Sequence, residues 1–212
     1  MPTTVELLAA LNRKERFFLV AEALGKPTFE LSAAFRERVG DAFDLSIPTS
    51  AFVAMDYHLD WIYASLFLSD QGVDASGVHA NPDGLISGNQ EDVDLIIAFE
   101  AEGLTHIIML EAKAETGWTN KQAGSKASRL EAIFGSDGRR FPASGPHYGL
   151  ISPRPPQQLA TKEWPRWMLA GDGTVVWMPL TVPPQRAKVT RVNESNHPDA
   201  AGKFFSMKIR KP

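Results

Sequence analysis

Residues 93–113 read VDLIIAFEAEGLTHIIMLEAK and carry the strongest structural signal in this 212-residue chain. Two apolar runs, Val93–Phe99 and His106–Lys113, are rich in isoleucine, leucine and other residues that suit buried strands. The connection between them, Glu100–Thr105, is short and polar and contains a glycine. Two such runs with a short link predict an antiparallel β-hairpin.

Charged residues stand at one end of this hairpin. Side chains alternate along a strand, so Glu111 and Lys113 project from one face while Ala112 points to the other. In an antiparallel pair the start of one strand lies beside the end of its partner, which places Asp94 beside Glu111. The sequence therefore predicts two carboxylates and one ammonium at one edge of an apolar hairpin. The alternative interpretation is that these charges are the solvated ends of two strands.

The segments Asp94–Ile97 and Ile107–Lys113 together resemble the PD-(D/E)XK nuclease superfamily, also called restriction-endonuclease-like. The resemblance covers about residues 50–135, and Val93 stands where the motif has proline. It implies a restriction-endonuclease-like core that hydrolyses phosphodiester bonds of nucleic acid, with DNA expected in preference to RNA.

The resemblance also implies roles for the hairpin residues. Asp94 and Glu111, with the backbone carbonyl of Ala112, are expected to bind Mg²⁺ or Mn²⁺, which prefer such hard oxygen ligands. The metal would polarise the scissile phosphate and activate a water molecule. Lys113 is expected to orient that water or to stabilise the charge that develops on the phosphate.

Two helices are expected to complete the site. The family usually adds an acid from a preceding helix, and Asp60 is the first candidate for this metal ligand, with Asp56 as the second. For both, the alternative is a solvated helix flank. In the helix after the motif, Gln122 matches a glutamine that some members use, although Lys126 occupies the position where those members have tyrosine.

Charge is divided between the two halves of the chain. Residues 1–112 contain 6 Lys/Arg and 18 Asp/Glu, for a net charge of −12, whereas residues 113–212 contain 16 Lys/Arg and 7 Asp/Glu, for +9, and the whole chain carries −3. Basic residues that neutralise phosphates supply sequence-independent affinity, so Lys121, Lys126 and Arg129 are expected to contact nucleic acid. The alternative is that the two halves interleave and neutralise each other.

The rest of the chain predicts helices before the hairpin and strands near the C-terminus. Predicted helices cover residues 6–11, 13–24, 30–43, 50–68 and 120–134, and predicted strands cover 148–152, 174–180, 187–193 and 204–210. This order indicates an α/β protein of mixed α+β type, in which a central mixed β-sheet is flanked by helices.

A single domain is expected over residues 1–212. Within it, residues 1–48 form a helical N-terminal extension, residues 49–152 the nuclease-like core, and residues 153–212 a β-rich C-terminal part. The oligomeric state is left open, with a homodimer as one option.

Composition excludes several classes of protein. The chain has no cysteine, which excludes a disulfide scaffold, a thiol nucleophile and a cysteine-ligated metal. The longest apolar runs span five residues, far short of a membrane span, and no secretory signal is visible, so a cytoplasmic protein without membrane contact is expected. The five histidines are scattered without metal-ligand spacing, and His147 is placed in a turn.

The leading hypothesis is a magnesium-dependent nuclease. Two alternatives remain open. One is a non-catalytic module that keeps the nuclease-like fold to bind nucleic acid or protein. The other is a small metabolic enzyme of unrelated fold in which the hairpin acids are incidental. Trp164 and Trp167 likewise have two interpretations, since they either stack on bases or pack into the core.

Overall fold

A computed structural model describes residues 1–26, 28–88, 91–114, 117–183 and 186–210. The chain forms two compact units, Met1–Leu180 and Thr181–Pro212. The first unit contains the helices α1 (Thr4–Leu11), α2 (Glu15–Ala23), α3 (Ala33–Phe43), α4 (Leu59–Gln71) and α5 (Asn120–Phe134), with a 3₁₀ turn at Arg166–Met168. Its strands are β1 (Phe52–His58), β2 (Asp92–Ala101), β3 (Leu104–Ala112), β4 (Ser144–Ser152) and β5 (Val176–Pro179).

The five strands form one mixed sheet in the order β1-β2-β3-β4-β5. The β1–β2 and β2–β3 pairs are antiparallel, whereas β3–β4 and β4–β5 are parallel. The predicted class, a mixed α/β protein with a central mixed sheet flanked by helices, is confirmed. Helix α5 forms the crossover between the parallel strands β3 and β4, as parallel pairing requires.

The predicted hairpin is confirmed, and its strands are longer than the sequence suggested. Strands β2 and β3 pair from Leu95 opposite Leu110 to Ala101 opposite Leu104, so only two residues form the turn. These are Glu102 and Gly103, with φ of 53° and 79°. Positive φ at both central positions fits the twist of a two-residue hairpin, and glycine adopts it without a steric penalty.

Helices cover both faces of the sheet. On one face, buried residues of α1, α4 and α5 pack against strand residues that include Ile96 and Met109. On the other face, Val39 of α3 packs with Ile97 and Ile108. Because alternate residues of β2 and β3 are buried on opposite sides, both strands are continuously apolar rather than alternating in polarity.

The helix predicted over residues 50–68 is wrong in its first half. Residues 52–58 form β1, paired with β2 from Phe52 opposite Ala98 to His58 opposite Asp92, and α4 begins only at Leu59. Asp56 has a φ of 49°, which a right-handed helix does not accept. The three- and four-residue spacing of apolar side chains was therefore coincidental, and Met55 is 49% exposed instead of lying on an apolar helix face.

Two smaller expectations also change. His147 lies inside β4, which begins at Ser144, and not in a turn. Trp164 is buried and its ring meets the edge of Tyr148, while the Trp167 Nε1 donates a hydrogen bond to the Gly135 carbonyl at 3.0 Å. Both tryptophans thus pack within the first unit.

The second unit contains β6 (Arg186–Val192) and β7 (Phe204–Arg210), which form a two-stranded antiparallel sheet. The boundary at residue 180 falls later than the expected start of the β-rich part at residue 153, because β5 joins the main sheet. No helix in the described part of the chain is long and apolar enough to cross a membrane.

Candidate active site at the end of the central hairpin

The hairpin brings Asp94 and Glu111 together. Their strands pair at Leu95 and Leu110, and one further step in this register sets Asp94 opposite Glu111. The Asp94 Oδ2 accepts a hydrogen bond from the backbone N–H of Ala112 at 2.6 Å, which fixes the carboxylate at the strand end. The face that carries both acids is the face covered by α5.

Lys113 follows β3 directly and borders the same site. Its backbone N–H donates to the Ile151 carbonyl at 2.9 Å, so the parallel strand β4 fixes its position. Its ammonium lies 5.9 Å from the centre of the Trp118 ring. Trp118 is held in turn, because its Nε1 donates to the Ser152 hydroxyl at 3.2 Å. Asp94, Glu111 and Lys113 therefore lie at the same end of the central hairpin, as the sequence predicted.

Helix α5 adds a second lysine to the site. The Lys126 ammonium lies 3.1 Å from Glu111 Oε1 and 4.0 Å from Glu91 Oε1, and it donates a hydrogen bond to the Asp92 carbonyl. Lys126 is only 9% exposed. The sequence assigned it to a nucleic-acid surface, whereas the structure turns it inward onto the acids of the hairpin.

Burial is the main cause of the raised pKa of Glu111. Loss of solvent raises the pKa of Glu111 to about 7; the Lys126 ammonium opposes this rise and the Asp94 carboxylate adds to it. Within the described residues, Glu111 Oε1 is buried and makes no hydrogen bond of acceptable geometry, although the Lys126 ammonium is close by. Carboxylates whose pKa is perturbed by burial in this way concentrate at functional sites.

Tyr148 and Glu91 belong to the site, and the sequence analysis missed both. Tyr148 is fully buried in β4, and its pKa is raised well above the usual value by burial and by the charges of Glu111, Asp94 and Glu91. In the sequence, Tyr148 stands on a predicted strand and Glu91 stands just before the first strand of the hairpin, so both could have been considered as site candidates. Neither showed that these residues share a face with Glu111.

An open pocket of about 520 Å³ lies beside these groups. Its lining combines acids, lysines, an amide and aromatic rings: Glu91, Glu111, Lys113, Trp118, Thr119, Lys121, Gln122, Ala123, Ser125, Lys126 and Tyr148. The residues at its wall can thus present both negative and positive groups to a bound molecule.

Gln122 and Lys121 are brought to this pocket by the first turn of α5. Thr119 caps the helix, because the Thr119 hydroxyl accepts from the Gln122 N–H at 3.4 Å. Both Gln122 and Lys121 are exposed at the pocket lining. Their exposure at the pocket suits the predicted roles, catalysis for Gln122 and nucleic-acid binding for Lys121. Both roles stay predictions.

Asp60 and Arg129 are not among the residues that line this pocket. The Asp60 carboxylate accepts from the backbone N–H groups of Ser87 and Gly88 at 2.9 and 2.8 Å and pairs with the Arg129 guanidinium at 2.8 Å. Arg129 also donates to the Leu85 carbonyl. These contacts favour a structural role that ties the 72–88 loop to α4 and α5, so metal and nucleic-acid binding by this pair stay predictions.

Asp56, the second candidate acid, lies on β1. Its carboxylate forms an ion pair with Arg16 at 3.0 Å. Among the residues that the structure describes, no group of three or more His, Asp or Glu side chains converges as a metal site would. A cation at the hairpin would therefore rest on Asp94 and Glu111, with other oxygen ligands from backbone and water.

Comparison of this chain with protein-family models, curated proteins and solved structures finds no match.

Proposed function

We propose that this protein is a divalent-metal-dependent nuclease of the PD-(D/E)XK type, built on a restriction-endonuclease-like core. The observation that carries the proposal is the register of the β2–β3 hairpin. It sets Asp94 opposite Glu111, with Lys113 two residues further along. Glu111 and Lys113, but not Asp94, are among the residues that line the open pocket. The cofactor is Mg²⁺ or Mn²⁺ and the substrate is nucleic acid.

The donor set fits such a cation. Two carboxylates at one strand end are hard oxygen ligands, and a cation there would take the place that the Lys126 ammonium holds, 3.1 Å from Glu111 Oε1. When bound, the ion supplies polarisation of the phosphate and activation of water. Asp94 and Glu111 hold it, with the Ala112 carbonyl as the third protein ligand.

The remaining residues act on the phosphate. Lys113 places its ammonium at the pocket, where it stabilises the negative charge that grows on the phosphoryl oxygens as water attacks phosphorus and the P–O ester bond breaks. Lys121 and Gln122 stand at the wall of the pocket and position the nucleic-acid backbone.

The test is hydrolysis of nucleic acid by the full-length protein. Linear, circular and single-stranded DNA and RNA are incubated with Mg²⁺ or Mn²⁺, and the Asp94→Asn, Glu111→Gln and Lys113→Met variants are compared with Glu100→Gln. Glu100 is an exposed acid at the other end of β2 and serves as the matched control. Cleavage that needs all three site residues supports the proposal, whereas equal cleavage by Glu111→Gln contradicts it.

One observation favours a second candidate, a non-catalytic nucleic-acid-binding module that keeps this fold. The Lys126 ammonium, 3.1 Å from Glu111, already supplies a positive charge where the ion would bind. If the folded protein binds DNA or RNA equally with Mn²⁺ or EDTA and cleaves neither, this candidate replaces the nuclease.

A further inference from the structure

The second unit is built on a two-stranded ribbon, β6 and β7, and is strongly basic. The two strands pair from Arg186 opposite Arg210 to Val192 opposite Phe204. Residues 181–212 contain 7 Lys/Arg and 2 Asp/Glu, for a net charge of +5 in a chain whose net charge is −3. This unit therefore has the sign of charge that attracts a polyanion.

Two lysines stand directly opposite each other on the ribbon. The register pairs Lys188 of β6 with Lys208 of β7, and both side chains are exposed. Opposed side chains in an antiparallel pair have Cβ atoms about 4.5–5.5 Å apart, and like charges at this distance destabilise the pairing. Among the described residues, no acid forms an ion pair with either lysine. Because two strands alone are only marginally stable, this repulsion is a cost that a bound anion would remove.

The face that carries the lysine pair continues into hydroxyl and apolar groups. Because side chains alternate along a strand, the opposed pairs Thr190–Ser206 and Val192–Phe204 lie on this face, which we call the basic face. The Phe204 ring is 50% exposed. Ammonium and hydroxyl groups bind phosphate oxygens, and an exposed aromatic ring packs against bases.

The opposite face of the ribbon has a different chemistry. It carries four exposed apolar side chains, those of Val189, Phe205, Met207 and Ile209. Its cation, Arg191, is bound by the chain itself, since the guanidinium donates to the Gly202 carbonyl at 2.6 Å and to the Ala200 carbonyl at 2.8 Å. The ammonium groups that a ligand can reach therefore lie on the basic face.

This distribution of charge favours nucleic acid over a membrane. An amphipathic element at a membrane buries its apolar face while its basic residues contact anionic headgroups. In the ribbon, a membrane that covered the apolar face would leave the lysine pair on the far side, in solvent. A two-stranded ribbon also fits the major groove of a nucleic-acid duplex. The choice of nucleic acid among polyanions rests on the proposed function, whereas the charge and the register do not.

We propose that the basic face of the ribbon, centred on Lys188 and Lys208, binds the phosphate backbone of nucleic acid without regard to sequence. The two ammonium groups pair with phosphates, the hydroxyls of Thr190 and Ser206 donate to phosphate oxygens, and the Phe204 ring packs against a sugar or base. Binding at this surface needs neither a metal ion nor cleavage.

Fluorescence anisotropy of the full-length protein with labelled DNA, as a duplex and as a single strand, tests the proposal in EDTA, where a metal-dependent nuclease does not cut. The double variant Lys188→Gln/Lys208→Gln should weaken binding about tenfold and lower the slope of log K against log salt by about 2, because two phosphate contacts are lost. Lys26→Gln/Lys162→Gln, which removes two exposed lysines of the first unit, is the matched control and should change neither quantity. Equal losses in the two double variants would overturn the proposal, as would wild-type protein that binds phosphatidylserine vesicles but neither DNA.

Lys188→Glu separates binding from stability of the ribbon. It sets opposite charges across the strands, so hydrogen exchange of the β6 and β7 amides should slow while the affinity for DNA falls. Lys188→Arg keeps the charge and should keep the affinity. If Lys188→Glu binds DNA as tightly as the wild type, the proposal fails.

The ribbon and the nuclease fail separately. Binding that depends on the lysine pair, with no cleavage in Mg²⁺ or Mn²⁺, contradicts the nuclease and supports the ribbon. Metal-dependent cleavage by a Lys188→Gln/Lys208→Gln variant that binds DNA as tightly as the wild type contradicts the ribbon and leaves the nuclease standing.

Discussion

Asp60 and Glu111 are two buried acids that meet basic residues one turn apart on α5, yet their surroundings differ. Asp60 pairs with Arg129 at 2.8 Å and also accepts two backbone N–H groups of residues 87–88. Glu111 meets the Lys126 ammonium at 3.1 Å, but its buried Oε1 makes no hydrogen bond within the described residues. Asp60 thus has a guanidinium and two backbone donors, whereas the partner named for Glu111 Oε1 is a single ammonium.

We expect this difference to separate an acid with a structural role from one with a functional role. A carboxylate with a full set of charge-assisted hydrogen bonds stabilises the folded chain, and its removal leaves a buried cation and unpaired N–H groups. A carboxylate whose pKa is raised by burial costs stability when it ionises, and such groups are common where a ligand or a reaction uses them. The predictions below test this division.

The largest effect is expected on nuclease activity. Asp94→Asn, Glu111→Gln and Lys113→Met should each lower kcat/KM by about 10³-fold, or about 4 kcal/mol of transition-state stabilisation. The reason is that each variant removes a cation ligand or the ammonium that opposes phosphate charge. Asp60→Asn should retain the activity of its folded fraction. A folded but inactive Asp60→Asn variant would instead support the metal-binding role that the sequence predicted for Asp60.

The next effect concerns stability. Asp60→Ala should lower the free energy of unfolding by about 3 kcal/mol, because it leaves Arg129 and two loop N–H groups without their acceptor. Urea denaturation measures the change. Asp70→Ala, at an exposed position on the same helix, is the matched control and should change stability by less than about 0.5 kcal/mol. Equal costs for the two variants would contradict the structural role of Asp60.

Glu111 should make stability fall as the pH rises. Since its pKa in the folded protein is about 7, above the usual 4.5, the folded chain keeps a proton between these values that the unfolded chain has lost. As far as this group is concerned, stability is therefore highest below pH 4.5, and about 3 kcal/mol of it is lost as the pH rises through 7.

Glu111→Gln isolates this contribution. The stability difference between the variant and the wild type, measured by urea denaturation from pH 4.5 to 8, should grow in favour of the variant. A difference that stays constant across this range would show that Glu111 does not carry the raised pKa.

Much of the hairpin was predictable because its causes are local. The apolar runs around Ile96 and Ile108 and the Glu102–Gly103 turn determine pairing and register, and register alone sets Asp94 opposite Glu111. The residues of the motif could thus be placed without knowledge of any other element.

The rest of the site depends on how distant elements pack. Lys126 has the sequence context of an exposed helix residue, and only the docking of α5 on the sheet turns it toward Glu111. β1 was missed because the spacing of its apolar side chains matches a helix, while the positive φ of Asp56 and the pairing with β2 are set by the sheet. The contacts of Asp60 could not be predicted, because its partners in the 87–88 loop are remote in sequence.

The smallest effect is expected from Lys126. Its ammonium faces Glu111 and Glu91 and competes electrostatically with any cation that binds these acids. Lys126→Met should therefore tighten Mn²⁺ binding about tenfold, or about 1.4 kcal/mol, as measured by calorimetry without substrate. Lys121→Met removes an exposed lysine of the same pocket and should change the affinity far less, because solvent screens its charge. If Lys126→Met weakens Mn²⁺ binding instead, the lysine helps to build the cation site. Lys126 would then support Glu111 much as Arg129 supports Asp60, and the two acids would differ only in the number of their partners.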